Sequence, residues 1–454
     1  MLRPQLPKGF TFGVGTSAMQ IEGALDVDGR GRSVWDGFVE QPGAIVDGSR
    51  PALTAGHYHR VEEDVRLLAE LGVDSYRFSL PWSRILPQGR GQVNQKAIDH
   101  YDRLIDNLLE VGIKPMVTLY HWDLPQALED DGGWLNRATA DALAEYAAVA
   151  GAHFADRVEH WVPISELNVI GILGYGLGEH APGRRLLFDV LPAVHHLLLG
   201  HGRAVVELRN AGAHSVGCAN NHSPIWPASD DAADVGATKL VDALWNGMVL
   251  EGMLLGRYPV DLAGAMAEYT RDGDMATIRQ PLDFYGVNYY SPMRIGATEE
   301  GADVPFRMIS LLGHQITASG WSVVPHALRE WLIMIRARFR AALPPLMVTE
   351  CGSSWIERPG EDGVVHDTAR ASYIDAHLDA VAEAIARGVD VQGVYVWSFL
   401  DCWEWARGFT TPYGLVHVDR DTLKRTPKDS FHAYARRIAR TRTPENPGVT
   451  AGEG

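Results

Sequence analysis

Short apolar runs alternate with longer amphipathic stretches along nearly the whole chain. Eight runs have strand length: Phe10–Val14, Ser75–Ser79, Met116–Tyr120, Glu159–Ile164, Ser215–Ala219, Phe284–Asn288, Leu346–Glu350 and Val394–Ser398. Between them the period changes from two to that of a helix. Ile98, Tyr101, Leu104, Ile105, Leu108 and Leu109 fall on one helical face, and Gly112 supplies the stop before the third strand. Arg60 to Leu71 before Gly72, Ala138 to Phe154, and Tyr373 to Ala386 before Gly388 repeat the arrangement. Strands separated by helices predict an α/β protein, and eight of them predict a single (β/α)8 TIM barrel with long βα loops over residues 1–441. The alternation alone leaves an open parallel sheet in play. Inserts at Gly183–Leu187, Ser229–Gly236 and Glu299–Ser319 read as loops, and the Pro-, Gly- and Thr-rich segment 442–454 reads as a disordered tail.

Bulk properties narrow the partners. A length of 454 residues suggests two or three domains, but α/β barrels with long loops reach this size as one. No apolar run approaches the roughly 18 residues of a membrane span, and the start of the chain has no apolar signal core. A formal charge of −16 disfavours nucleic acid and anionic membrane. Cys218, Cys351 and Cys402 have no paired spacing, which points to a reducing cytoplasm and away from a zinc cluster. Homo-oligomers are compatible with all of this. Of thirteen tryptophans most are core filling, but indole faces are also platforms for sugar rings.

The C-terminal strand ends are where such a barrel places its chemistry. They carry Gln20, Arg77, His121, Glu166, Asn288, Tyr290, Glu350 and Trp397, with Glu404 and Trp405 in the following loop. Amides, an imidazole, carboxylates and indoles together suit a neutral polyol. There is no Gly-rich phosphate cradle, no serine nucleophile elbow and no metal triad. Two glutamates on different strands suit a reaction needing one proton donor and one nucleophile, which glycosidic bond cleavage is. Each residue also has a plainer reading: His121 as a satisfied core histidine, Arg77 as an interior ion pair. Their joint placement favours the site.

Longer motifs carry a resemblance. The stretches Phe10–Gly23, Gly29–Asp36, Tyr76–Ser79, Tyr120–Pro125, Asn288–Tyr290, Asp401–Trp405 and Pro427–Phe431 follow in an order that resembles glycoside hydrolase family 1, the β-glucosidase and β-galactosidase family, from Phe10 to about Tyr434. The resemblance implies a retaining β-glycosidase acting on a small-molecule glycoside, with neither metal nor organic cofactor. It implies Glu166 as acid/base and Glu350 as nucleophile, with Arg77 and Tyr290 orienting Glu350. Gln20, His121, Glu404 and Trp405 would bond the sugar hydroxyls above a Trp397 floor. The Glu404-Trp405 pair resembles the branch acting on unphosphorylated sugars, where a C6-phosphate would meet a like charge.

Departures sit beside both glutamates. Ser165-Glu166-Leu167 stands where the family has Asn-Glu-Pro, and Cys351 and Cys402 replace asparagines. The family asparagine grips the 2-hydroxyl; Ser165, being shorter, is expected to reach it only through a water, at a cost of roughly a hundredfold on ordinary glucosides. The thiols read as small apolar fillers. These changes suggest a substrate with an absent or modified 2-hydroxyl, or one bound mainly through its aglycone. A transglycosidase, a member repurposed for natural-product biosynthesis and a non-catalytic glycan-binding protein are the alternatives, the last disfavoured by retention of both glutamates, Arg77 and Tyr290.

Overall fold

The computed structural model describes residues 5–443. Eight parallel strands, β1 (Thr11–Gly15), β2 (Ser75–Ser79), β3 (Lys114–Tyr120), β4 (His160–Ile164), β5 (Cys218–Asn221), β6 (Tyr285–Tyr289), β7 (Leu346–Cys351) and β8 (Val391–Trp397), lie in the spatial order β4-β3-β2-β1-β8-β7-β6-β5. Bridges Trp161↔Val216 and Ser165↔Ala219 join the two outermost strands, so the sheet closes into a (β/α)8 barrel. The principal outer helices are α1 (Val61–Leu71), α2 (Gln95–Glu110), α3 (Ala138–Phe154), α4 (Leu191–Asn210), α5 (Met248–Leu255), α6 (Pro325–Phe339), α7 (Thr368–Ala386) and α8 (Asp429–Arg442).

The period-two alternation of each strand divides two cores. Tyr76 and Phe78 of β2, or Tyr285, Val287 and Tyr289 of β6, join the main core that packs the helices onto the barrel. Burying one such side chain stabilises by about 1.5–3 kcal/mol. Inside the barrel, Met116, Val162, Ala219, Phe284, Met347 and Tyr395 form a separate apolar plug. Towards the C-terminal end of the barrel the interior positions become Arg77, Thr118, Asn288 and Thr349, all fully or almost fully buried. Interior polar groups next to an apolar plug must find partners, and they find one another.

Boundaries shift where pairing is shared. The expected strand at Ser215–Ala219 regularises only at Cys218–Asn221, because residues 215–217 bond Trp161 of β4 before pairing with β6 begins. Leu109, expected on the buried face of α2, is 39% exposed. Gly72 ends α1 at φ +77°, a left-handed cap that a Cβ would strain. Two expected loops carry structure. Residues 229–236 run into the helix Ala232–Asp242, and Phe306–Ile309 pairs antiparallel with Met293–Ala297, itself paired with Ile225–Pro227. Helix α8 extends to Arg442, which donates to Asp74 at 2.6 Å. The rest of the expected tail, from 444 onward, lies outside the described residues.

Candidate active site

Glu166 and Glu350 reach the barrel mouth by two different distortions. Glu166 follows β4 at φ +54°, in the left-handed region, with its N–H donating to Ala219 at 2.7 Å. Trp122 and Trp405, at the same mouth, share that unusual conformation at φ +73° and +44°. Such backbone costs of order 1–3 kcal/mol each and persists only where the surroundings enforce it. On β7, simple alternation would face Glu350 away from the interior residues Met347 and Thr349. A register shift between Val348 and Glu350 breaks the alternation, so Thr349 and Glu350 both make interior bonds, while Cys351 packs outward. Just beyond, Gly352 lies so close to the Trp397 carbonyl that a Cβ would sit 1.8 Å from it.

Arg77 anchors Glu350. Its guanidinium donates to one Glu350 oxygen, to Ser165 Oγ at 2.8 Å, to Thr118 Oγ1 at 3.2 Å and to the Thr349 carbonyl at 3.3 Å. The Tyr290 hydroxyl donates to the other Glu350 oxygen, Oε2, at 2.6 Å. Among the described residues no cation makes an ion pair with Glu166. Asn288 and Asn221 both donate to its Oε1, at 2.8 and 3.0 Å. Burial, reinforced by the negative charge of Glu350, pushes the Glu166 carboxyl up to about 8, against the amide bonds and Arg77, which pull it down.

Around these lie the sugar-facing candidates. Gln20, on the helical turn after β1, donates to Glu404 Oε2 at 2.8 Å and accepts from Ser17 at 2.7 Å. Burial lifts Glu404 to about 8 as well. Its opposition to a phosphate is therefore weaker at neutral pH than a fixed negative charge would give. His121 is buried, with Nδ1 free of protein partners and its ring stacked near Trp397 and Trp405 at 5.8 and 5.9 Å. Burial first, then Arg77, holds it neutral. Trp397 and Trp405 are both buried at the mouth.

Two residues expected to meet the sugar are already committed. Asn288 donates to Glu166 and accepts from Thr349 at 2.7 Å; Ser165 Oγ accepts from Arg77. Asn221 is the contact that sequence reasoning missed, because the fifth strand was drawn two residues short of it. Cys351 is buried, its thiol pushed up to about 12, so it is an inert filler. Cys402 is not isolated from the site: its Sγ lies 3.5 Å from Glu404 Oε2. Among the described residues no group of three His, Cys, Asp or Glu could hold a metal ion, and no helix is long and apolar enough to cross a membrane.

Known proteins are similar to this chain over nearly its full length. The model of the family described as Glycosyl hydrolase family 1 matches residues 2–443. β-Glucosidase A of Acetivibrio thermocellus is 40% identical over 445 residues, which cover 96% of this chain and 98% of that one. The crystal structure of a psychrophilic β-glucosidase from Micrococcus antarcticus superposes with a TM-score of 0.93 at 43% identity, covering 97% and 98%. A β-glucosidase from Thermotoga maritima in complex with glucoimidazole gives 0.92 at 38%, covering 97% and 100%.

Proposed function

The chain belongs to glycosyl hydrolase family 1, and on that footing we propose that it hydrolyses β-linked, unphosphorylated glucosides with retention, through a glycosyl-enzyme on Glu350. One observation carries the assignment: Glu350 is gripped by Arg77 and Tyr290, while Glu166, buried among neutral amides, keeps its proton. Glu350 attacks the anomeric carbon as its bond to the leaving oxygen breaks, and the Glu166 proton passes to that oxygen. Water then attacks the same carbon, gives its proton to Glu166, and the Glu350–sugar bond breaks. Each carboxyl ends as it began. Retention requires the two carboxyls about 5–5.5 Å apart, an inverting route about 6.5–9.5 Å. A 2-fluoro glycoside followed by peptide mass mapping tests the route: label on Glu350 is expected, and label elsewhere or none refutes it.

A narrower reading of the substrate rests on Ser165. Its oxygen accepts from Arg77, which fixes its orientation and leaves one lone pair and a short O–H to offer a sugar hydroxyl. The preferred substrate then lacks a 2-hydroxyl, carries a modified one, or gains its binding energy from the aglycone. Turnover of 2-deoxy and ordinary β-glucosides decides this; a strong preference for the ordinary sugar counts against it. Added alcohol acceptors, with the products analysed, separate hydrolysis from transglycosylation.

A further inference from the structure

We infer that Asn221, locked in orientation by Trp245, is a positioning residue that confines proton transfer by Glu166 to a single oxygen, Oε2. The inference rests on the acid/base reading of Glu166 and adds the atom and the residues that select it. Two amide groups, Nδ2 of Asn221 and Nδ2 of Asn288, donate to the same atom, Oε1, at 3.0 and 2.8 Å. An oxygen that receives two N–H donors is the carbonyl oxygen of a carboxylic acid, because a hydroxyl oxygen there would turn its own proton against them. The proton consequently sits on Oε2.

Neither amide can turn over freely. Asn221 Oδ1 accepts from Trp245 Nε1 at 3.2 Å, and Asn288 Oδ1 accepts from Thr349 Oγ1 at 2.7 Å. A flipped Asn221 would set its NH₂ against the indole N–H and its oxygen against Glu166. The backbone is fixed too: the Asn221 carbonyl accepts from Asn168 Nδ2 at 2.8 Å, and the same Nδ2 donates to the Trp245 carbonyl at 2.9 Å. Trp245 rides on a π-helical segment, Ala243–Gly247, of the kind often found beside functional sites. The charged and titratable groups facing Glu166 are Glu350, Arg77 and Tyr290, on other strands. None of them is altered by changing Asn221 or Trp245.

The test is the pH dependence of kcat/KM for an aryl glucoside in wild type, Asn221→Ala, Asn221→Asp, Trp245→Phe and Glu166→Gln. Both amide bonds favour the ionised carboxyl, so losing one raises the pH at which Glu166 gives up its proton. Asn221→Ala is expected to move the alkaline limb up by about half to one pH unit. Asn221→Asp moves it further by adding a like charge. Trp245→Phe moves it in the same direction by less, since the amide stays but is released. A purely structural role would lower kcat/KM and leave the limb in place. Glu166→Gln is expected to abolish the limb; a limb that survives there overturns the acid assignment itself. A limb lost in Glu166→Gln but unmoved in both Asn221→Asp and Trp245→Phe overturns the positioning role, whether or not Asn221→Ala folds.

Discussion

Glu350 lies between a guanidinium and a phenol that both donate to it, whereas Glu166 receives only neutral amides, both on one oxygen. The side chains are chemically identical and share one interior. What separates them is the charge of the donor. A cation in contact favours the ionised form, while neutral donors in a buried setting do not repay the loss of water, and the ionised neighbour adds repulsion. Arg77 contacts Glu350 and opposes the upward shift of Glu166, which burial and the negative charge of Glu350 produce. On the proposed roles, contact with a cation on one side and burial among neutral amides on the other divide two carboxyls into nucleophile and donor.

Removing the charged half is the most severe way to break this contrast. Glu350→Gln is expected to lower turnover by at least about 10^4-fold, by analogy with loss of other covalent nucleophiles. Arg77→Met should be nearly as damaging and less stable. It leaves Glu350 buried without its cation, and breaking a buried pair in this way costs about 3–5 kcal/mol. Steady-state kinetics with a denaturant melt separates the effects. An Arg77→Met enzyme that kept wild-type turnover would remove the basis of the contrast.

Removing the neutral half should depend on the substrate. Glu166→Gln keeps an acceptor for both amides but has no proton to give. A loss of about 10^2–10^4-fold is expected for poor leaving groups and little for good ones, because the latter need no proton. In wild type, activity should fall as pH rises through about 8, where Glu166 ionises. The sign for stability follows from the same shift. A carboxyl raised from 4.5 to about 8 contributes stability that is complete below 4.5 and lost as pH rises to about 8. Glu166→Gln should therefore melt above wild type at high pH, with the advantage vanishing in acid. A melting difference that did not change with pH would contradict the burial account.

Much of this was legible in the chain, for stated physical reasons. Barrel strands show a period of two, so β2 and β6 could be placed and Arg77 and Asn288 assigned inward-facing strand ends. Glu350 is a different matter. Alternation alone would face it outward, and only the register shift in β7, invisible to a pattern of apolar and polar letters, turns it inward. Likewise Glu166 owes its aim to a left-handed backbone that no propensity favours for glutamate. Asn221 was hidden because residues 215–217 pair with β4 first, which delays the regular strand and moves its end. The commitment of Ser165 to Arg77 is a contact across the barrel, beyond the reach of local reading.

Smaller effects come from the flanking residues, and the two flanks should differ. Ser165 is turned inward on the acid side and meets Arg77. Ser165→Asn is expected to raise kcat/KM on ordinary β-glucosides by roughly 10- to 100-fold, the worth of one donor that strengthens in the transition state. On 2-deoxy substrates, which have no hydroxyl to receive that donor, it should change little. Equal gains on both would mean that the asparagine acts on Arg77 rather than on the sugar.

On the nucleophile side, Cys351 is turned outward, into the core between the barrel and its helices. With Val348, Val394, Val396, Leu328, Ile374, His377, Leu378 and Val381 it lines a hollow of only about 10 Å³. Its Sγ lies 3.7 Å from the Tyr373 hydroxyl, and burial keeps the thiol protonated. Cys351→Val stays apolar but adds about one carbon of bulk beside that hollow, so it should cost about 1–3 kcal/mol of stability. kcat/KM should stay within about twofold, since the added bulk faces the outer core and not the barrel interior. Iodoacetamide should leave the native enzyme active for the same reason, because a buried neutral thiol is a poor nucleophile. The comparison is sharpest here: residues adjacent in sequence to the two carboxylates, one facing in and one out, should differ in effect by at least about an order of magnitude in kcat/KM. A large loss in Cys351→Val with an unchanged melting curve would show that the register of β7 transmits outer packing to Glu350.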